Sequence, residues 1–287
     1  MVKEFCYKPL NIKMAVKIIR IPQDRYQDQD NDEKVKKLKK EIANFRTLSI
    51  HQNIVDFYGL CFNDTDAMIC MELMDMSLYD LYLVVHDEKK KFPEKILGYV
   101  TVQVLEALGF CKSNNFIHRD VKPKNILLNN RGEVKLCDFG ESRILKDSLA
   151  STFVGTIAYW PPERFEANKP IQEAIQNQNE EDVVRYDVRS DIWSLGITLA
   201  ETVYGKLPFT DDKGASISHD NNTNNGQENI VTIQHCILST KTDELIQRCF
   251  GTFYSADLTE FQDSSMDDSK FTVEDFQIKR LEPWTTI

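Results

Sequence analysis

The chain has 287 residues, 41% of them hydrophobic and 28% charged, the balance of an ordinary globule with enough apolar material for one large domain or two lobes. A formal net charge of −10 disfavours nucleic acid as the main partner. No apolar run approaches the roughly 20 residues that span a bilayer, the opening Met-Val-Lys-Glu-Phe lacks a signal-peptide pattern, and seven cysteines without paired spacing read as reduced thiols, so the expectation is a cytosolic or nuclear protein with no membrane partner.

Residues 11–20, Asn-Ile-Lys-Met-Ala-Val-Lys-Ile-Ile-Arg, predict a strand. Residues 33–49 predict a lysine-rich amphipathic helix, with Val35, Leu38, Ile42 and Phe45 at three- and four-residue spacing. Ile54 to Tyr58 and Met68 to Met71 predict two short strands, ending in a Met-Asp turn region. A long helix is expected at 94–114, where Ile96, Val100, Val104, Ala107 and Leu108 share a face. A short β-rich segment follows, then a loop over 141–160 and a buried helix at 191–204. Residues 166–182, rich in Gln, Asn and Glu, break the pattern; so does the Asn-heavy stretch 211–227, which is expected to be disordered because it has too few apolar groups to offset its ordering entropy. The element order is that of a small β-rich lobe followed by a larger helical one, an α+β protein.

The densest chemistry lies in Ile117-His118-Arg119-Asp120-Val121-Lys122-Pro123-Lys124-Asn125, followed by Cys137-Asp138-Phe139-Gly140 with thirteen residues from Asn125 to Asp138. Alone, Asp-Phe-Gly arises by accident and His-Arg-Asp can cap any helix. In this order, with Pro161-Pro162-Glu163 downstream, they are the signature strings of a protein kinase and supply both parts of a phosphoryl-transfer centre. Asp120 would accept or orient the proton of an incoming hydroxyl, and Lys122 would meet the γ-phosphate; positioning and charge neutralisation carry most of such a reaction. Asn125 and Asp138 offer hard oxygen ligands suited to Mg²⁺. Lys17, on an otherwise apolar strand, either snorkels from an edge or reaches the α- and β-phosphates of ATP, with Glu41 on the next helix as the clamp for its ammonium group; Glu41 could equally be a solvated helix residue. His118 and Phe139 read as packing elements. Cys137 reads as a small buried hydrophobe, which would face the nucleotide pocket if partly exposed. Ser148 and Thr152 lie between the Asp-Phe-Gly and Pro-Pro-Glu strings, where an added phosphate can order a loop.

At these residues the chain closely resembles the mitogen-activated protein kinase kinases, the dual-specificity middle tier of three-kinase cascades. Ile69-Cys70-Met71-Glu72-Leu73-Met74-Asp75 looks like that family's gatekeeper and hinge, and Ser148-x-Ala150-x-Thr152 resembles its two-site activation motif. Gly155-Thr156, Tyr159 and Pro162-Glu163-Arg164 continue the likeness, and the run from Tyr186 to Leu199 is very similar to the following helix of the stress-activated members. The resemblance is close over about residues 1–210 and thin at 243–250. It implies a two-lobed protein-kinase fold as one domain over 1–287, with the N-lobe at about 1–71, the hinge at about 72–76 and the C-lobe at about 77–287. It also implies Met71 as gatekeeper, Glu72 and Met74 bonding adenine through their backbones, and Ala15 and Leu127 sandwiching the base. ATP and Mg²⁺ would be the cofactors, Ser148 and Thr152 the phosphorylation sites, a downstream MAP kinase the substrate, and a MAP kinase kinase kinase the activator.

Four features depart from the family pattern. The first glycine is Gly59, so no Gly-rich loop precedes Lys17 and the resemblance begins at the second strand. The segment near 166–185 is long, Glu141 directly after Asp-Phe-Gly is unusual, and no Arg-Pro pair follows Cys249 to partner Glu163. Three readings stay open: an active dual-specificity kinase, for which Lys17, Glu41, Asp120, Asn125 and Asp138 argue; a catalytically impaired, pseudokinase-like scaffold or competitor in the same cascade; and a kinase of another group.

Overall fold

The structure is a computed structural model that describes residues 1–20, 39, 42–63, 66–139, 143–144, 156–166, 188–209 and 226–251. Glu41, Ser148, Thr152, the first half of the predicted 33–49 helix and the polar stretches 167–182 and 210–225 lie outside the described residues.

The chain opens with a hairpin. Strand β1 (Val2–Tyr7) pairs antiparallel with β2 (Ile12–Arg20), from Val2 opposite Lys17 to Tyr7 opposite Ile12. The turn uses Asn11 at φ 51°, a left-handed conformation that asparagine tolerates better than most residues. Residues 42–48 form helix α1, which sends Phe45 and Leu48 into the core. Strands β3 (Phe57–Asn63) and β4 (Asp66–Met71) complete a four-stranded sheet in the order β1-β2-β4-β3. β2 is central, rich in Val and Ile, and places Lys17 opposite Ile69 and Ala15 opposite Met71.

The expected strand at 54–58 is displaced. Ile54 and Val55 are fully buried and join a different sheet, where Ile54 bridges Leu136 in parallel and the Val55 amide donates to the Leu136 carbonyl at 3.1 Å. The apolar run is long enough to serve two sheets, so its composition alone does not show where one ends. A bulge between Phe57 and Gly59 then starts β3, with Gly59 at φ 148°.

The larger lobe begins with β5 (Met76–Ser77) and helix α2 (Leu78–Asp87). Ser77 caps this helix with a reciprocal pair: its hydroxyl accepts from the Asp80 amide at 3.2 Å, and the Asp80 carboxylate accepts from the Ser77 amide at 3.0 Å. The sequence reading missed α2 because Leu-Tyr-Asp-Leu-Tyr-Leu-Val-Val mixes aromatic and β-branched residues that suit a strand equally well. Helix α3 (Glu94–Ser113) matches the expected 94–114 and buries Leu97, Val100, Val104, Ala107, Leu108 and Cys111. Beyond it lie β6 (Phe116–Ile117), a 3-10 turn at Pro123–Asn125, β7 (Ile126–Leu128) and β8 (Val134–Leu136). β5, β7 and β8 form one small sheet, and β6 pairs with β9 (Arg143–Ile144).

Helix α4 (Glu163–Glu166) precedes α5 (Val188–Tyr204), which begins three residues before the expected start. Helices α6 (Gly226–Ser239) and α7 (Thr242–Phe250) were not expected. The start of α6 corrects the end of the stretch predicted disordered, since residues 226 and 227 are helical. One core joins α1, the N-terminal sheet, α2, α3 and the small sheet; a second packs Tyr159, Trp160 and Phe165 against Ile197, Phe209 and Leu245. This is the α+β, two-lobed arrangement expected from the sequence. Among the described residues no helix is long and apolar enough to cross a membrane.

Candidate active site

The segment 118–125 is shaped from below by the first turn of α5. Asp191, almost fully buried, accepts from the backbone amides of His118 and Arg119, both at 2.8 Å. Two amides can point at one carboxylate only if the chain turns sharply, and Arg119 does so at φ 72°, a strained left-handed conformation for a residue with a side chain. Burial raises the Asp191 pKa, opposed by the charges and amides of His118 and Arg119. His118 is buried too: one ring nitrogen faces the Cys137 carbonyl at 3.0 Å, and the other accepts from the Asp120 amide at 3.3 Å. Its ring meets Phe139 edge-on at 4.8 Å, and Phe139 meets Phe45 of α1 at 5.6 Å. His118 and Phe139 are packing elements, as expected.

Asp120 sits at the end of this clamp, its carboxylate held by four hydrogen bonds. Oδ2 accepts from Lys122 Nζ at 2.6 Å and Asn125 Nδ2 at 2.9 Å; Oδ1 accepts from the Thr156 amide at 3.2 Å and the Thr156 hydroxyl at 3.1 Å. Lys122 Nζ also donates to Thr156 Oγ1 at 2.8 Å, which closes the group into a ring. The Asn125 amide nitrogen makes a further bond to the Asp120 carbonyl at 2.8 Å, so its orientation is fixed with the oxygen as its remaining ligand atom. The sequence-predicted Asp120, Lys122 and Asn125 are thus in direct contact.

Lys17 and Asp138 meet from opposite lobes, with Lys17 Nζ 2.9 Å from Asp138 Oδ1. Asp138 has φ 63°, so the second carboxylate also rests on a left-handed non-glycine residue. The expected partner of Lys17, Glu41, is outside the described residues. Cys137, just before Asp138, is half-buried, and desolvation pushes its thiol well above the ordinary range. The donor set suits a magnesium ion: one amide oxygen and one part-exposed carboxylate, both hard. Among the described residues no three His, Cys, Asp or Glu side chains converge, so a cation here needs further oxygens from a bound phosphate or water.

The hinge follows β4. Met71 is buried opposite Ala15, and Leu127 packs against the same core as Ala15. The Glu72 amide donates to the Asp56 carbonyl at 3.0 Å and the Asp75 amide to the Leu128 carbonyl at 3.0 Å. Among the described residues, neither the Glu72 carbonyl nor the Met74 amide is engaged by another backbone group. An acceptor and a donor are therefore presented two residues apart in the short connection between β4 and β5.

Three positions that shape this site were given no role in the sequence reading. Asp191 could have been noticed as a carboxylate opening an otherwise apolar helix, and Thr156 as the hydroxyl after Gly155. Glu201, in the middle of α5 and fully buried, accepts from Tyr82 and Tyr159 at 2.5 Å each. It ties α2 and the 3-10 turn at Ile157–Tyr159, next to Thr156, to α5. Burial, then the Glu201 charge, raises both phenols, so both remain protonated donors. Arg164, also buried, lies over the Trp160 ring at 3.1 Å, and desolvation followed by the nearby Arg119 charge pushes it down to about 9.

The protein kinase domain family matches residues 1–267. The chain is 39% identical over 214 residues to the dual specificity mitogen-activated protein kinase kinase sek-1 of Caenorhabditis elegans, a match that covers 74% of this chain and 58% of that protein. It is 42% identical over 179 residues to the dual specificity mitogen-activated protein kinase kinase dSOR1 of Drosophila melanogaster, covering 61% of this chain and 40% of that protein. The chain thus spans about half the length of these relatives. With the Asp120 centre, the Lys17–Asp138 pair across the lobes and these matches together, the chain belongs to the protein kinase family, and within it is similar to mitogen-activated protein kinase kinases.

Proposed function

We propose that the protein transfers the γ-phosphoryl group of Mg-ATP to Ser/Thr and Tyr hydroxyls of a downstream MAP kinase, and that a MAP kinase kinase kinase switches it on by phosphorylating Ser148 and Thr152. The observation that carries this is the Asp120 carboxylate, oriented by Lys122, Asn125 and Thr156. Asp120 would orient the incoming hydroxyl and take its proton, while Lys122, on the same carboxylate, would meet the transferring phosphoryl group. The Glu72 carbonyl and Met74 amide would bond the adenine edge, with Ala15 and Leu127 on its faces and Met71 behind. Lys17, now 2.9 Å from Asp138, would exchange part of that pairing for the α- and β-phosphates. Asn125 and Asp138 would hold Mg²⁺, whose charge offsets that of the phosphates. Seven free cysteines support a reducing compartment, cytosol or nucleus.

Each activating phosphate adds about −1.5 to −2 charges, which basic groups such as Arg119, Arg143 and Lys146 can pair with. The test is phosphate transfer to a MAP kinase by the unmodified chain, by Ser148→Asp with Thr152→Glu, and by Ser148→Ala with Thr152→Ala. The acidic variant should be faster than the unmodified chain, and the alanine variant should resist activation by an upstream kinase while binding ATP normally. If the acidic variant transfers no phosphate despite binding the MAP kinase, the scaffold reading replaces this one.

A further inference from the structure

The hinge is gripped by a buried ion pair that no step of the proposed chemistry uses. Lys135 of β8 places Nζ 2.7 Å from Glu72 Oε2, with both side chains only 9% exposed. Burying two opposite charges costs each its hydration, so such a pair is a poor source of stability and a good means of fixing one arrangement. What it fixes here is the backbone of residue 72. Glu72 Oε2 also accepts from the Asp56 amide at 3.3 Å, the Glu72 amide returns a bond to the Asp56 carbonyl at 3.0 Å, and Asp56 Oδ1 lies 3.8 Å from Lys135 Nζ. The β7–β8 hairpin holds the next residues as well. The Leu128 carbonyl accepts from the Asp75 amide at 3.0 Å, the Asn130 amide donates to Asp75 Oδ2 at 2.6 Å, and Asn129 Nδ2 lies 3.9 Å from the Met74 sulfur. Between these fixed points lie the Glu72 carbonyl and the Met74 amide, neither of which has a described backbone partner.

We infer that Lys135 is a positioning residue for the purine base: through Glu72 it sets where the hinge carbonyl and amide stand, and so determines nucleotide affinity and the preference for a 6-amino purine. This rests on the Mg-ATP reading above. A 6-amino purine offers a donor next to an acceptor, matching a carbonyl followed by an amide. A 6-oxo purine such as that of ITP puts an oxygen against the hinge carbonyl. A displaced hinge therefore weakens ATP binding and blurs the choice between the two nucleotides, while the Asp120 centre, held by separate contacts, keeps its geometry.

The test is steady-state phosphate transfer with ATP and with ITP for the full chain and for Lys135→Met, Lys135→Gln and Lys135→Arg, with melting curves for each. In Lys135→Met the KM for ATP should rise at least fivefold with kcat within twofold, and the preference for ATP over ITP should fall at least fivefold. Lys135→Arg should return both to within twofold. Lys135→Gln, which removes the charge that pairs with Glu72, serves the same comparison if the methionine variant does not fold. Unchanged KM and nucleotide preference in folded Lys135→Met, or in Lys135→Gln where it replaces it, overturns the inference. So does a parallel loss of kcat, KM and melting temperature with the preference intact, which would mark a purely structural role. If the unaltered chain binds no Mg-ATP by calorimetry, the Mg-ATP reading fails and the inference with it; if it binds and Lys135→Met matches it, the inference alone fails.

Discussion

Changing Asp191 to Asn tests whether the catalytic segment is held by one carboxylate at the start of a distant helix. Asp191 accepts two backbone amides at 2.8 Å from residues 72 and 73 positions earlier in the chain. A hydrogen bond to a charged group contributes about 1.5–3 kcal/mol, and a buried donor left without a partner costs about 1–3 kcal/mol. Asparagine keeps one oxygen for one amide and turns an NH₂ toward the other, so one bond is lost and one amide stranded. Against this, burial disfavours the aspartate charge, as the raised pKa shows, and the neutral amide recovers part of that cost. The net loss should be about 2–4 kcal/mol in urea unfolding, and somewhat more for Asp191→Ala, which releases both amides. The catalytic effect should be larger than stability alone explains. Arg119 is held at φ 72° by this clamp, a conformation costing about 1–3 kcal/mol that relaxes once an amide is freed, and Asp120 is the next residue. A shift of about 1 Å at a catalytic group can cost about a hundredfold in rate. Under conditions where the variant remains folded, kcat should therefore fall at least tenfold with little change in the KM for ATP, since Lys17 and the hinge are positioned elsewhere. A variant within about 0.5 kcal/mol of the original and within about twofold in kcat would refute the argument, because surface substitutions alone produce effects of that size.

Tyr82→Phe and Tyr159→Phe should each destabilise the protein by about 1–3 kcal/mol, since each removes a buried donor to Glu201. Because both bond the same carboxylate, the double variant should depart from additivity in a double-mutant cycle; strict additivity would show that the two bonds are independent. Asp138→Asn should abolish metal-dependent ATP turnover with little change in melting temperature. Its pairing with Lys17 is part-exposed and worth at most about 1 kcal/mol, so full turnover with a normal melting curve would show the metal site to be misplaced.

Much of the fold and of the site was legible in the sequence because it is written locally. Helix α3 shows in the three- and four-residue spacing of Val100, Val104, Ala107 and Leu108, and β2 in its run of Val and Ile. Asp120, Lys122 and Asn125 could be read as one group because they lie within six residues on one turn, and the structure joins them through the Asp120 carboxylate. Where residue type and local pattern were ambiguous, as in α2 or the 54–58 run, the element or its end was missed. What the tertiary structure alone decided is which distant groups meet. Lys17 and Asp138 are 121 residues apart, Tyr82 and Glu201 are 119, Lys135 and Glu72 are 63, and Asp191 holds amides of the catalytic segment from more than 70 residues away. The chain holds 45 carboxylates and 35 Lys or Arg side chains, and no periodicity selects among their possible pairs. Burial makes that selection: once packing removes a charge from water, only a partner already fixed by the fold can replace the lost hydration.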